Sequence, residues 1–272
     1  MTQVPRMTDR AALTRNRSRA RQEALFLHEA AADEIEDRLT LVNKSFNDQL
    51  LVTGHPEFWS LRFPAATIVP DEDTLALQPA SLDLIIHAMA LHWANDPVGQ
   101  IIQSARALRP DGLLLVAAPG GQTLQELRAC LAEAESTVSG GLSPRVAPMA
   151  EVRDMGGLLQ RAGLALPVAD TLTLPAEYRD AWHLMRDLRS MGEGNALQDR
   201  LRRPTRRAVL DQAADLYASH FTTPSGRVSA TFELIFLAGW APDASQPKPL
   251  RPGSAAQRLA EALGTDETKL PN

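Results

Sequence analysis

Between Arg21 and Phe46 the apolar residues Leu25, Ile35, Leu39, Val42 and Phe46 recur among many charges, which predicts an amphipathic helix lying on the outside of a sheet. A short apolar run, Leu50 to Thr53, stops at Gly54 and reads as a buried strand. A second short strand is expected at 66–69, closed by Pro70 and the acids Asp71, Glu72 and Asp73, and a clearer one at Leu82–His87. The loop-like segment AMALHWANDP leads into a helix from Pro97 to Leu108, with proline at its start where the missing N–H costs nothing. Pro110-Asp111-Gly112 reads as a turn, and Leu113–Ala118 as the next strand. Thr123 and Glu126 then have the spacing of a capping box, the threonine satisfying a first-turn N–H while the glutamate reaches back to the threonine amide.

Strand, crossover helix and strand at this spacing predict parallel strands with right-handed connections, hence an α/β core. Farther on, 149–162 is helical up to Gly163, 164–174 has strand character, 177–190 and 204–221 are helical in pattern, and Phe232–Trp240 is a long apolar strand. Pro242, Pro247, Pro249 and Pro252 then mark a tail that need not pack. The expected organisation is a basic arm over 1–22, an α/β domain over 23–240 with a helical insertion at about 175–222, and a Pro-rich flexible tail over 241–272. There is no internal repeat.

Composition narrows the functional classes. With 44% hydrophobic and 22% charged residues in 272, the chain is that of a soluble globular protein, and a net charge of -5 offers no general attraction to nucleic acid. No apolar run approaches the ~20 residues of a membrane-spanning helix, which leaves peripheral membrane association open. One cysteine, Cys130, excludes an internal disulfide and a Cys-rich zinc site and fits a reducing, cytoplasmic location; inside a helix it is most simply a small buried side chain. Six arginines against the single acid Asp9 in residues 1–22 have the composition of a transit peptide or a basic arm, read here as a flexible leader. Arg200, Arg202, Arg203, Arg206 and Arg207 form a second basic cluster without interleaved aromatics, so it reads as a solvated face or a docking surface for an acidic protein. The six histidines show no H-x-x-x-H or H-E-x-x-H spacing, and no metal site is expected.

Asp71-Glu72-Asp73, Ser81-Leu82-Asp83-Leu84-Ile85 and Arg109-Pro110-Asp111-Gly112-Leu113-Leu114 follow one another as in class I S-adenosylmethionine-dependent methyltransferases, and the chain resembles that family. It is similar in particular to the complex I assembly factor 5 group and its bacterial relatives through Leu91-His92-Trp93-Ala94-Asn95-Asp96-Pro97, the run Pro119-Gly120-Gly121-Gln122-Thr123 to Arg128, Gly141-Leu142-Ser143-Pro144, Leu158 to Gly163 and Met191-Gly192-Glu193-Gly194-Asn195. The likeness covers roughly residues 7–240 in consistent order. It implies a class I methyltransferase-like, Rossmann-like α/β fold, S-adenosylmethionine as cofactor, and a protein partner, a complex I subunit.

The sequence also departs from that family. A glycine-rich turn of the type D-x-G-x-G-x-G lets backbone amides approach the cofactor; here the stretch is Thr53-Gly54-His55-Pro56-Glu57-Phe58-Trp59, with one glycine. Pro56 removes a donor, and Phe58 and Trp59 are expected to narrow or fill the pocket. The interval from Trp59 to Leu82 is too short for a further βαβ unit of roughly thirty residues, so at most one short strand is expected there, in a sheet with fewer strands than the family's seven.

The resemblance implies cofactor contacts at Gly54, Asp71, Glu72 and His87, catalytic roles for His92 and Glu193, and substrate or partner contacts at Trp93, Gly120, Gly121, Thr123, Glu126, Arg128, Met191, Gly192 and Asn195. From the residues alone, His92 is either an acid, base or donor at a strand end or a buried hydrogen-bonding residue, with Trp93 a core anchor. Gly120-Gly121 is either an anion nest or a simple turn. His92, Trp93, Gly121, Glu126, Glu193 and Asn195 are expected on one surface, with 191–195 able to fold over it as a lid. Two functions follow: a cofactor-impaired relative that binds a partner protein, or an enzyme that still uses S-adenosylmethionine, as a methyltransferase or in protein-arginine modification.

Overall fold

The computed structural model describes residues 6–247. Its sheet has six strands, β1 (Gln49–Thr53), β2 (Thr67–Val69), β3 (Leu82–Ala88), β4 (Leu108–Pro119), β5 (Ala165–Tyr178) and β6 (Val228–Trp240), in the order β2-β1-β3-β4-β6-β5. The first four are parallel; β6 runs antiparallel between β4 and β5, with Ala117 opposite Phe236 and Asp170 also opposite Phe236. Pro110-Asp111-Gly112 is not a turn, because β4 runs through it, with Asp111 at φ 62.

Strand periodicity of two sends alternate residues to opposite faces. Leu84, Ile86, Leu113, Leu115, Phe232, Leu234 and Phe236 pack under α2 (Phe26–Leu41), α3 (Pro56–Arg62), α5 (Gln125–Ser139), α7 (Ala181–Ser190) and α8 (Arg207–Phe221). Ile85, Leu114, Val116, Ile235 and Leu237 face α4 (Pro97–Ala107) and α6 (Val152–Arg161). All four parallel strands were thus legible, while the antiparallel pairing of β5 and β6 was not anticipated.

Between Trp59 and Leu82 lies one short strand, β2, as expected. The crossover to it is nevertheless made, by the two turns of α3, and this sets Asp71 just past the carboxyl end of a second parallel strand. Pro56 sits in the first turn of α3, where its missing N–H is harmless. Of the two aromatics expected to narrow the pocket, Trp59 is wholly buried in the core, stacked on Phe63, and Phe58 borders the cavity at Gly54.

The arm at 1–22 is also not a free leader within its described part. Residues 10–17 form α1 (Arg10–Arg17), capped by Asp9, whose carboxylate accepts from the Ala12 amide at 3.1 Å, and Ala12 and Leu13 are buried. Leu13 packs in a small cluster with Trp93, Ala147, Ala196 and Leu197. Asp9 binds Arg200 and Arg202 at 2.9 and 2.8 Å, so two members of the second basic cluster hold the arm while Arg203, Arg206 and Arg207 are exposed. Residues up to Pro242 make one compact unit; Asp243 to Gln246, at the start of the second, close a turn through the Gln246 amide and the Asp243 carbonyl. From 248 the proposed tail lies outside the described residues. Among the described residues no helix is long and apolar enough to cross a membrane.

Cys130, on α5, is 3% exposed, and burial, helped by Glu133 and Glu126, pushes its thiol up to about 11. A thiol reagent at neutral pH is expected to label the native chain on the order of a hundredfold more slowly than the denatured chain, since only the thiolate reacts. Equal labelling rates before and after denaturation would show that the thiol is not shielded.

Candidate active site

The carboxyl ends of β1, β3 and β4 open on the same edge of the sheet, where open α/β folds place their ligands. Two cavities lie there. The first, about 660 Å³, is bordered by Gly54, His55, Phe58, Asp71 and Glu72 below and by Arg10 and Arg17 of α1 above. The second, about 290 Å³, is walled by Leu27, Leu127, Leu131, Met185, Leu188 and Phe232, with His28, Trp93, Glu193 and Asn195 at its polar end.

The larger cavity is open, but over Gly54 itself it is narrowed by Arg17, whose guanidinium takes the place of a Cβ at that position, rather than by an aromatic ring. Arg17 Nη1 donates to Asp71 Oδ1 at 2.8 Å, and Arg10 grips both Asp71 oxygens at 3.2 Å. Burial alone would raise the Asp71 pKa, yet Arg17 and Arg10 beside it hold it below its ordinary value. Nε and Nη2 of Arg17 are buried without a partner. His87 does not border this cavity; it is fully buried, Nε2 2.8 Å from Gln100 Oε1.

The smaller cavity gathers part of the predicted surface. Trp93 Nε1 donates to Glu193 Oε2 at 2.7 Å, and His92 Nε2 lies 3.2 Å from the same oxygen. Burial would raise the Glu193 pKa, but His92, Arg17 and Trp93 hold the carboxyl far below the usual carboxylate range. Asn195 joins the wall and donates to the Pro144 carbonyl at 2.8 Å.

Thr123 also lines this cavity, but most other expected members go elsewhere. Thr123 and Glu126 form no capping box: α5 begins after Leu124 at φ 57, Thr123 Oγ1 bonds the Glu233 backbone, and the Glu126 carboxylate takes the amide and hydroxyl of Thr231. The Gly120-Gly121 segment is no free anion nest, because Glu233 already occupies it, accepting from the Gln122 amide at 3.0 Å, and Glu151 abuts Gly121. Arg128 reaches the Thr123 carbonyl at 3.4 Å. Met191 is fully buried, Gly192 at φ 84 lies against the Arg17 backbone, and Asn16 donates to the Gly194 carbonyl at 2.8 Å, so 191–195 is a packed segment rather than a lid.

Between the cavities stands a wall whose chief members the sequence reading missed. His28 faces the smaller cavity and His55 the larger, with ring centroids 4.6 Å apart. Trp59 Nε1 donates to His28 Nδ1 at 3.0 Å. Burial, then the nearby His55, lowers the His28 pKa well below its ordinary value, and burial lowers His55 to about 4, so both rings are neutral at pH 7. The N-terminal half of this architecture had a signal: Arg10, Thr14 and Arg17 recur at helical spacing behind an Asp N-cap.

The description "Methyltransferase domain" matches residues 52–116. A malonyl-[acyl-carrier protein] O-methyltransferase from Laribacter hongkongensis is 31% identical over 225 residues, 83% of this chain and 72% of that protein. The chain belongs to the class I methyltransferase family. To this methyltransferase-fold chain the "Arginine-hydroxylase NDUFAF5, mitochondrial" of Danio rerio is 36% identical over 198 residues, 73% of this chain and 61% of that one. The human protein of the same name is 35% identical over 208 residues, 76% of this chain and 60% of that one. The methyltransferase-fold chain therefore spans about three fifths of the length of these two relatives.

Proposed function

We propose that this chain is an S-adenosylmethionine-binding enzyme that modifies a long side chain of a partner protein, arginine by the name of its relatives. The observation that carries the reading is that two cavities, one at the Gly54 turn and one with apolar walls, meet at a single polar wall. Loss of the glycine-rich turn favoured a cofactor-impaired binding protein; the open cavity at Gly54 supports the enzyme instead. S-adenosylmethionine fits the chemistry of that cavity. Arg17, lying over Gly54, offers two unpartnered guanidinium nitrogens, Nε and Nη2, to a carboxylate. Asp71, with both oxygens engaged, positions Arg17 rather than serving as a free acceptor. When bound, the cofactor would supply an activated methyl group.

On the other side, a side chain with an apolar stem lies between Leu127, Leu131 and Leu188 and brings its polar head to Glu193 and Asn195. Trp93 and His92 fix the Glu193 carboxylate at that end. Hydroxylation is the chemistry in the relatives' names, and methyl transfer is the reading favoured by the cofactor cavity. The single buried cysteine supports action in a reducing compartment such as the cytoplasm.

Calorimetric titration with S-adenosylmethionine and S-adenosylhomocysteine is expected to give saturable binding at one site, weakened tenfold or more in Arg17→Gln, since a hydrogen bond to a charged group is worth about 1.5–3 kcal/mol. Absence of heat and of any thermal shift at millimolar ligand would return the chain to the partner-binding reading.

A further inference from the structure

Three polar groups in the wall stand close together without bonding one another. His28, from α2, His55, from the loop after β1, and Glu193, from the 191–195 segment, bring one ligand atom each within 4.8 Å of the others. His55 is 7% exposed and its Nε2 has no partner. Glu193 spends Oε2 on Trp93 and His92, which leaves Oε1 without a hydrogen bond among the described residues. A buried imidazole left unpaired within reach of a carboxylate costs free energy that a bound third party would recover.

We infer that His28, His55 and Glu193 form a binding site for one divalent first-row transition-metal ion, set in the wall between the two cavities. Two imidazoles and one carboxylate are a ligand set that suits such ions and leaves coordination positions open. Ligand atoms about 2.0–2.2 Å from a shared ion lie about 3–4 Å from each other, so the three groups, within 4.8 Å, must draw in by about 1 Å to close on it. Carboxylate and nitrogen ligands of this kind are harder than thiolates, which disfavours copper(I). Support from around the ligands is present at Glu193, which Trp93 and His92 anchor. Because the Trp59 indole donates to Nδ1, the His28 proton sits on Nε2 in the metal-free chain. Metal binding must displace that proton and disturb the Trp59 indole, which gives the site a local reporter.

The test is titration of the untagged, chelator-treated full chain with cobalt(II) alone, followed by visible absorption, proton release and the Trp59 indole NMR signal. The expected result is saturation at one equivalent with visible d–d bands, a shifted Trp59 signal, and at least tenfold weaker binding in both His55→Leu and Glu193→Gln. His55→Leu removes no hydrogen bond through Nε2, and its thermal transition, compared with that of the parent, confirms that it folds. No uptake by the parent chain, or uptake undiminished in a folded His55→Leu chain, overturns the inference. The titration contains no S-adenosylmethionine, so its outcome is separate from that of the cofactor reading.

Discussion

Replacing Asp71 with alanine is expected to lower stability by about 3–5 kcal/mol, the usual cost of breaking a buried ion pair by removing one partner. Arg17, whose side chain is 8% exposed, and Arg10 would each lose the one ion-pair partner they have among the described residues. Since 1 kcal/mol moves the midpoint of a domain this size by roughly 2–4 °C, thermal unfolding should start on the order of 10 °C lower. The chain has a way to limit the loss, which is to release α1, because α1 is held to the rest by Leu13, Asn16 and Asp9 rather than by a long seam. Hydrogen exchange of the α1 amides is therefore expected to rise more than that of the sheet. In the double variant Arg17→Met with Asp71→Ala, much of the stability should return, because no fully buried charge is stranded and the partly exposed Arg10 reaches water. A midpoint within 2 °C of the parent and unchanged α1 protection would mean that the pair is not what holds the arm.

Trp59→Ala is expected to cost about 3–5 kcal/mol, the range for emptying the site of a buried large aromatic. Trp59 is fully buried, meets Phe63 in a stack and Phe58 edge-on, and supplies the one hydrogen bond to His28. Trp59→Phe keeps most of the packing and deletes the indole N–H, and should cost about 1–3 kcal/mol, the penalty for leaving a buried acceptor unpaired. Chemical denaturation of both variants separates the two contributions. If alanine and phenylalanine cost the same, the hydrogen bond and not the packing dominates at this position.

These sites show where the sequence was readable. Strands β1, β3 and β4 announced themselves by apolar runs bounded by glycine or proline, and His92, Trp93 and Glu193 came from motif likeness and do meet. The capping box failed for a non-local reason. β6 lies antiparallel beside β4 and presents Thr231 and Glu233 to the start of α5, and a local spacing rule cannot see a strand that enters more than one element later. Trp59 was misjudged because a helix turns successive residues to different faces: Phe58 borders the cavity while Trp59 points into the core. α1 was hidden by its own composition, since a run of arginines reads as solvated until the buried Asp71 that neutralises two of them is known. His28 and His55 carry no mutual spacing at all, because their meeting depends on α2 and the β1 loop packing together.

The position of β6 governs how the chain is made. β4 is complete, with Leu114, Val116 and Ala118 in place, long before the ribosome delivers the strand that pairs with its other edge. Until Val228–Trp240 emerges, the nascent chain carries a half-built sheet with an apolar strand and a naked row of amides and carbonyls, a template for pairing with any other chain nearby. Nor can α1 dock early, since its seat at Ala196 and Leu197 is synthesised late as well. Both closures thus wait on the last third of the described chain, and until then the half-built sheet is exposed to pairing with other chains.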